Sequence, residues 1–183
     1  METSNIQHNG KLDIGCGKFK REGFTGVDQY AMDGVDCVFD LRQTWPVESD
    51  SVEEVFCSHF VEHLTGKERV VFYNELCRVM KTGAKATIIT PHWASNRAYG
   101  DFTHQWPPVS EMSFSYLSKE WRKARAPHTD VGWNAEGYSC DFQATLGYRL
   151  DPAITDKTQE FQRFAAGNYK DVITDMHCVL VKI

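Results

Sequence analysis

The segment Lys11-Leu12-Asp13-Ile14-Gly15-Cys16-Gly17, followed closely by Phe24-Thr25-Gly26-Val27-Asp28, constrains this chain more than any other. It reads as an apolar strand, a glycine turn, and a second strand ending in a carboxylate. An apolar run that stops at Gly-x-Gly lets backbone approach a ligand where a side chain would clash. An acid at the end of the next strand can accept both hydroxyl protons of a ribose. Together they are how an α/β sheet holds a nucleoside. Spacing then separates two nucleoside classes. A dinucleotide fingerprint needs Gly-x-Gly-x-x-Gly opening a helix, because the pyrophosphate sits on that helix's N-terminus. Here the third glycine position is Lys20, and only six residues, Lys18 to Gly23, precede the next apolar run. Six residues make barely more than one helical turn. Pyrophosphate capture is therefore poorly supported, whereas a phosphate-free nucleoside loses nothing by the missing helix.

Later segments repeat the pattern of a strand ending in a polar turn. They are Val38-Phe39-Asp40-Leu41, then Val55-Phe56-Cys57-Ser58-His59-Phe60-Val61-Glu62-His63-Leu64, then Val79-Met80-Lys81-Thr82-Gly83-Ala84 leading into Thr87-Ile88-Ile89-Thr90-Pro91. With the opening run, they resemble the class I S-adenosylmethionine-dependent methyltransferases over roughly the first half of the chain. The usual third glycine of the first motif is Phe19, and Ala84 stands where a second glycine is common. The resemblance implies a Rossmann-like α/β sandwich with a mostly parallel sheet and S-adenosylmethionine as cofactor. It implies that Asp28 binds the ribose and that Asp13, Gly15, Cys16 and Gly17 form the loop at the methionine end. Asp40 and Leu41 would flank the adenine, and Ser58 and His59 would border the methionine moiety.

Hydrophobic residues make up 42% of the 183, which suits a single domain over 1–183 with a real core. The formal charge of −5 gives no global field that draws the chain to a polyanion, so a nucleic-acid acceptor is not favoured. The fourth strand also lacks the Asn/Asp-Pro-Pro-Tyr/Phe turn of amino-methylating nucleic-acid enzymes, with Ser58-His59-Phe60-Val61 in its place. Both points favour a small molecule, or a modest polymer fragment, as acceptor. The six cysteines contain no Cys-x-x-Cys pair and read as small core residues of a reducing cytoplasm. Met1 to Gly10 lacks the apolar stretch of a signal peptide, and no run approaches a membrane span.

Coarse patterning places strands over Lys11 to Ile14, Phe24 to Val27, Val35 to Phe39, Ser51 to Cys57 and Lys85 to Thr90, with the first helix largely missing. Thr65-Gly66-Lys67-Glu68 is a capping box, followed by Phe72, Leu76, Val79 and Met80 at helical spacing and ended by Gly83. Pro91 to Val109 is a long aromatic loop, Met112 to Arg125 a helix, and Gly137 to Leu150 with Val172 to Ile183 a closing antiparallel strand pair.

Two stretches carry candidate chemistry. His59-Phe60-Val61-Glu62-His63 spells a zinc-protease pattern, but that pattern needs both histidines one turn apart on a helix, and here they follow a strand. No metal is expected, and a zinc hydrolase built on His59 and His63 is the weaker alternative. Asp101-Phe102-Thr103-His104-Gln105-Trp106, leading to Ser113-Phe114-Ser115-Tyr116-Leu117, resembles a stretch of small methyltransferases of this type, some from bacteriophages. On that reading His104, with His59, serves as base or orienting group, and Trp93, Tyr99 and Trp106 wall the pocket. The alternative is that His104 and Asp101 pin the loop and the aromatics form its miniature core. Methyl transfer is an in-line displacement in which the protein mainly aligns the reactants, so a base matters only where the acceptor atom holds a proton. A non-catalytic S-adenosylmethionine-binding module is the competing function.

Overall fold

The computed structural model describes residues 5–129 and 137–183. Seven strands, β1 (Lys11–Ile14), β2 (Thr25–Asp28), β3 (Cys37–Val38), β4 (Val52–Ser58), β5 (Met80–Pro91), β6 (Phe142–Leu150) and β7 (Ile173–Lys182), form one sheet in the order β3-β2-β1-β4-β5-β7-β6. Strands β1 to β5 are parallel, and β7 inserts antiparallel between β5 and β6. The strand order reverses between β1 and β4. In open α/β sheets, ligands bind in the crevice at such a switch point, beyond the carboxyl ends of the strands.

Helix α1 (Gly66–Val79) covers one face. Its start is the capping box: the Glu68 amide donates to Thr65 Oγ1 at 3.4 Å and the Thr65 amide to Glu68 Oε2 at 2.7 Å. Phe72, Tyr73, Leu76 and Val79 are buried against Ile14, Val55, Cys57, Ile88 and Cys178. Full burial of a side chain such as Phe72 or Leu76 contributes roughly 1.5–3 kcal/mol. On the opposite face, Phe56, Ile89, Val179 and Val181 are half-buried and lie outside that core. The segment from Gly15 to Phe24 holds no helix. In its place the Arg21 guanidinium lies over Phe56, 4.7 Å from the ring centroid, while the Arg21 amide donates to Asp13 Oδ2 at 2.6 Å.

The structure departs from the sequence reading at four elements. Helix α1 ends at Val79, not Gly83, because its last carbonyls are taken by other parts of the chain. Arg78 and Val79 accept from the amides of Asp50 and Ser51, and Met80 accepts from Lys182 Nζ. The chain therefore turns straight into β5 at Met80, with Gly83 (φ +81) inside that strand. Strand β3 is only two residues long. The helix expected over Met112 to Arg125 is two, α3 (Glu111–Ser115) and α4 (Lys119–Arg125), split where Leu117 O accepts from the Phe142 amide and Ser118 caps α4. Helix α2 (Arg97–Gly100) lies inside the segment expected to be all loop. Helices α5 (Pro152–Thr155) and α6 (Gln159–Asn168) connect β6 to β7. No helix among the described residues is long and apolar enough to cross a membrane.

Candidate cofactor and acceptor site

Three clefts run side by side along the carboxyl ends of β3, β2, β1, β4 and β5. The outermost, about 50 Å³, is bordered by Phe39, Asp40, Leu41 and Arg42. It shares Gln29, Phe60 and His63 with a central cleft of about 450 Å³, whose wall also includes Gly15, Asp28 and His59. His59 and His63 lead on to a third cleft of about 330 Å³, faced by Glu62, Arg97, Asp101 and His104. The path thus passes from Asp40 and Leu41 through Asp28 and Gly15 to His59 and His104.

Local structure explains each placement. Gly15 has φ +66, and a Cβ there would come within 2.6–2.8 Å of Phe60 Cδ2, Cγ and Cβ. Phe60 can therefore lie against the turn only because residue 15 has no side chain. Gly17, at φ +51, has open space where its Cβ would be, and its amide donates to Asp28 Oδ2 at 3.0 Å. The Tyr30 amide donates to Asp28 Oδ1 at 3.1 Å. Each Asp28 oxygen thus accepts one backbone donor and keeps lone-pair capacity for another. Two adjacent hydroxyls fit that capacity. Asp40 is pulled below the usual carboxylate range by its hydrogen bonds from Arg42, whose Nε and Nη2 donate to Oδ1 and Oδ2 at 2.8 and 2.9 Å. It stands at the cleft edge as a fixed, paired charge.

Asp13, Cys16, Gly17 and Ser58 border none of the three clefts. Asp13 is buried on the sheet face beneath Arg21, where burial raises its pKa and the Arg21 amide takes one of its oxygens. It ties the segment that follows the glycine turn back to β1. Cys16 packs over Gly26, and burial, then the neighbouring Asp13 and Asp28, push its thiol up to about 11. Ser58 closes β4 opposite Ile89.

His59, which with His63 lines both the central and the third cleft, adopts φ +54. A non-glycine residue in that region costs of order 1–3 kcal/mol and persists only where its surroundings fix it. Its amide donates to Ile89 O at 2.9 Å, and its Nδ1 lies 3.1 Å from Glu62 Oε1, which as a carboxylate accepts. Nε2 is 3.9 Å from the buried Asp175 Oδ1. Asp175 in turn accepts from Arg97 Nη1 at 2.9 Å.

The loop carrying His104 is held by a buried cation. Arg69 of α1 donates to the carbonyls of Val61 (3.1 Å), Pro107 (2.6 Å) and Gln105 (3.4 Å), and the Gln105 amide donates to Glu62 O. Trp93, Tyr99 and Trp106, expected as pocket walls, border none of the clefts. They are 46%, 51% and 78% exposed. The polar groups Arg97, Asp101 and His104 face the third cleft instead. Glu62 and Arg97 had no cleft role in the sequence reading; the Glu62-His63 pair beside the strand end was the local signal for Glu62, and Arg97 had none.

No protein-family model matches the chain, and no curated protein matches it in sequence. Its structure is similar to a SAM-dependent methyltransferase from Archaeoglobus fulgidus, at 19% identity and a TM-score of 0.63, covering 94% of this chain and 85% of that one. It is similar to a SAM-dependent methyltransferase from Methanosarcina mazei, at 14% identity and TM-score 0.55, covering 94% and 92%. A third likeness is to geranyl diphosphate C-methyltransferase from Streptomyces coelicolor A3(2), solved with Mg2+, geranyl diphosphate and S-adenosyl-L-homocysteine, at 15% identity and TM-score 0.51, covering 94% and 70%. The chain has the fold of the class I S-adenosylmethionine-dependent methyltransferases.

Proposed function

We propose that this protein transfers a methyl group from S-adenosylmethionine to a small molecule. The observation that carries the reading is the unbroken path of clefts, with the two-acceptor carboxylate of Asp28 in the central one and His59 at its boundary with the third. Asp28 takes the ribose hydroxyls, Asp40 and Leu41 border the base, and Gly15 with His59 borders the methionine end. When bound, S-adenosylmethionine supplies a methyl group on a sulfonium that is already a good leaving group. The chain's own contribution is alignment, which can supply several kcal/mol of a bimolecular barrier.

With its Nδ1 proton engaged by Glu62, His59 carries its lone pair on Nε2, 3.9 Å from Asp175 Oδ1, a carboxylate placed to stabilise the imidazolium once that nitrogen is protonated. That nitrogen can take a proton from an acceptor hydroxyl or ammonium, and His104 orients the acceptor from the opposite wall. The net charge of −5 and a cleft of about 330 Å³ suit a small polar molecule better than a polyanion. All six cysteines are free thiols, as suits a reducing cytoplasm. The test is to incubate the protein with methyl-labelled S-adenosylmethionine and the small-molecule fraction of a cell extract. Label is expected in a non-protein, non-nucleic-acid product, and His59→Ala is expected to lose it. Tight cofactor binding with no transfer to any fraction would instead indicate a cofactor-binding module.

A further inference from the structure

We propose that Glu62, His63 and His104 together bind one divalent transition-metal ion at the floor of the third cleft. One ligand atom from each lies within 4.8 Å of the others. The hydrogen bonds around the two imidazoles decide which nitrogen of each is free to ligate. Thr103 Oγ1 gives its only proton to Asp101 Oδ1 at 2.7 Å, so it accepts from His63 Nδ1 at 2.9 Å. His104 Nδ1 faces the Ala98 carbonyl at 3.3 Å, an atom that can only accept. Both rings therefore carry their proton on Nδ1, and both Nε2 lone pairs are free. A metal-binding histidine is ordinarily held this way, its other nitrogen donating to a carbonyl or a polar side chain.

Glu62 supplies an independent sign. It is 4% exposed; Oε1 is engaged by His59, whereas Oε2 is buried with no hydrogen-bond partner among the described residues. An orphaned buried carboxylate oxygen is costly unless a cation meets it. The site uses His63 with the distant His104, not with His59, so it is not the helical zinc-protease arrangement. His63 lies in a 3-10 turn (Val61–His63) and His104 in the loop that Arg69 ties to that turn.

Two imidazoles and one carboxylate suit zinc, iron or manganese rather than magnesium or calcium. Tetrahedral bonds of about 2.1 Å would bring the ligand atoms to about 3.4 Å apart, a shift of roughly 1 Å or less for each side chain. The coordination positions left open face the third cleft, where they take an oxygen donor of the acceptor. The acceptor class is therefore a hydroxyl-bearing small molecule. That role rests on the methyltransferase reading; metal binding itself does not.

The full chain, stripped with chelator, is titrated calorimetrically with ZnCl2 and separately with MnCl2, without S-adenosylmethionine. One equivalent is expected for at least one of the two ions, more tightly than for MgCl2. His104→Ala is expected to abolish it, and Thr103→Val, which removes the partner of His63 Nδ1, to weaken it about 10- to 100-fold. His8→Ala, far from the cleft, is expected to leave it unchanged. Circular dichroism and S-adenosylhomocysteine binding check that the variants are folded. No stoichiometric uptake of either ion, or uptake that survives both His104→Ala and Thr103→Val, would overturn the proposal. Metal uptake without S-adenosylhomocysteine binding would support the metal site and defeat the cofactor reading.

Discussion

Arg69 is a buried cation that ties the His104 loop to helix α1, so its removal should be costly. It is 6% exposed, its burial lowers its pKa, and among the described residues its guanidinium binds three carbonyls and no carboxylate. Arg69→Met keeps the apolar stem and deletes the head. A hydrogen bond from a charged donor contributes about 1.5–3 kcal/mol. Of the three here, the 2.6 Å bond to Pro107 and the 3.1 Å bond to Val61 are strong and the 3.4 Å bond to Gln105 is weak. Relief of the guanidinium's desolvation offsets part of the loss. The expected net cost is about 2–4 kcal/mol, read as a lower urea midpoint at unchanged slope and a Tm lower by roughly 5–15 °C. Arg69→Lys should fall between the two, since a single ammonium cannot span all three carbonyls. The same bonds seat the His104 loop against the Val61–His63 turn. Arg69→Met should therefore impair the third cleft while S-adenosylhomocysteine binding persists under conditions where the variant is folded. A stability loss under about 1 kcal/mol would refute the staple.

Gly15→Ala puts a Cβ against Phe60 at positive φ and should cost about 2–5 kcal/mol in urea unfolding, from backbone strain and overpacking together. Adding Phe60→Ala should recover only part of this, because Phe60 Cβ is itself one of the clashing atoms. Acid sensitivity should trace to Asp40 and Asp36, which hydrogen bonds from Arg42 and from Lys20 hold below the usual carboxylate range. Each binds protons less readily folded than unfolded, so its stabilisation is complete above the unfolded value of about 3.9 and disappears as pH falls through the folded value. The buried Asp13, whose pKa is raised, acts in the opposite sense and favours the fold on acidification. Stability followed from pH 7 downward should decline less steeply in Asp36→Asn and Asp40→Asn than in the wild type.

The sequence disclosed the elements whose determinants are local. The strand-turn-strand around Gly15, the acid at Asp28 and the Thr65–Glu68 capping box are each set by a few adjacent residues, and they stand where the pattern put them. Helices α5 and α6 were missed although Asp151-Pro152 and Thr158 are start signals, because the helices are short and weakly apolar. The end of α1 was misplaced because Asp50, Ser51 and Lys182 cap its carbonyls, and Lys182 is 102 residues from Met80. The exposed tryptophans gave a false pocket, since aromatic content alone does not say which way a loop turns. The grouping of His63 with His104 depends on contacts such as Thr103 to His63, 40 residues apart, and no local pattern encodes it.

On the proposed function, the cleft at Asp28 holds the adenosine of S-adenosylmethionine. Calorimetric titration of the full chain with S-adenosylhomocysteine tests it most directly, with wild type and Asp28→Ala in parallel and unfolding curves confirming that both are folded. The expected result is one site per wild-type chain, weakened at least about 10-fold in the variant, since the two ribose hydrogen bonds to a charged acceptor are lost. No binding to wild type, or equal binding to the variant, would contradict it.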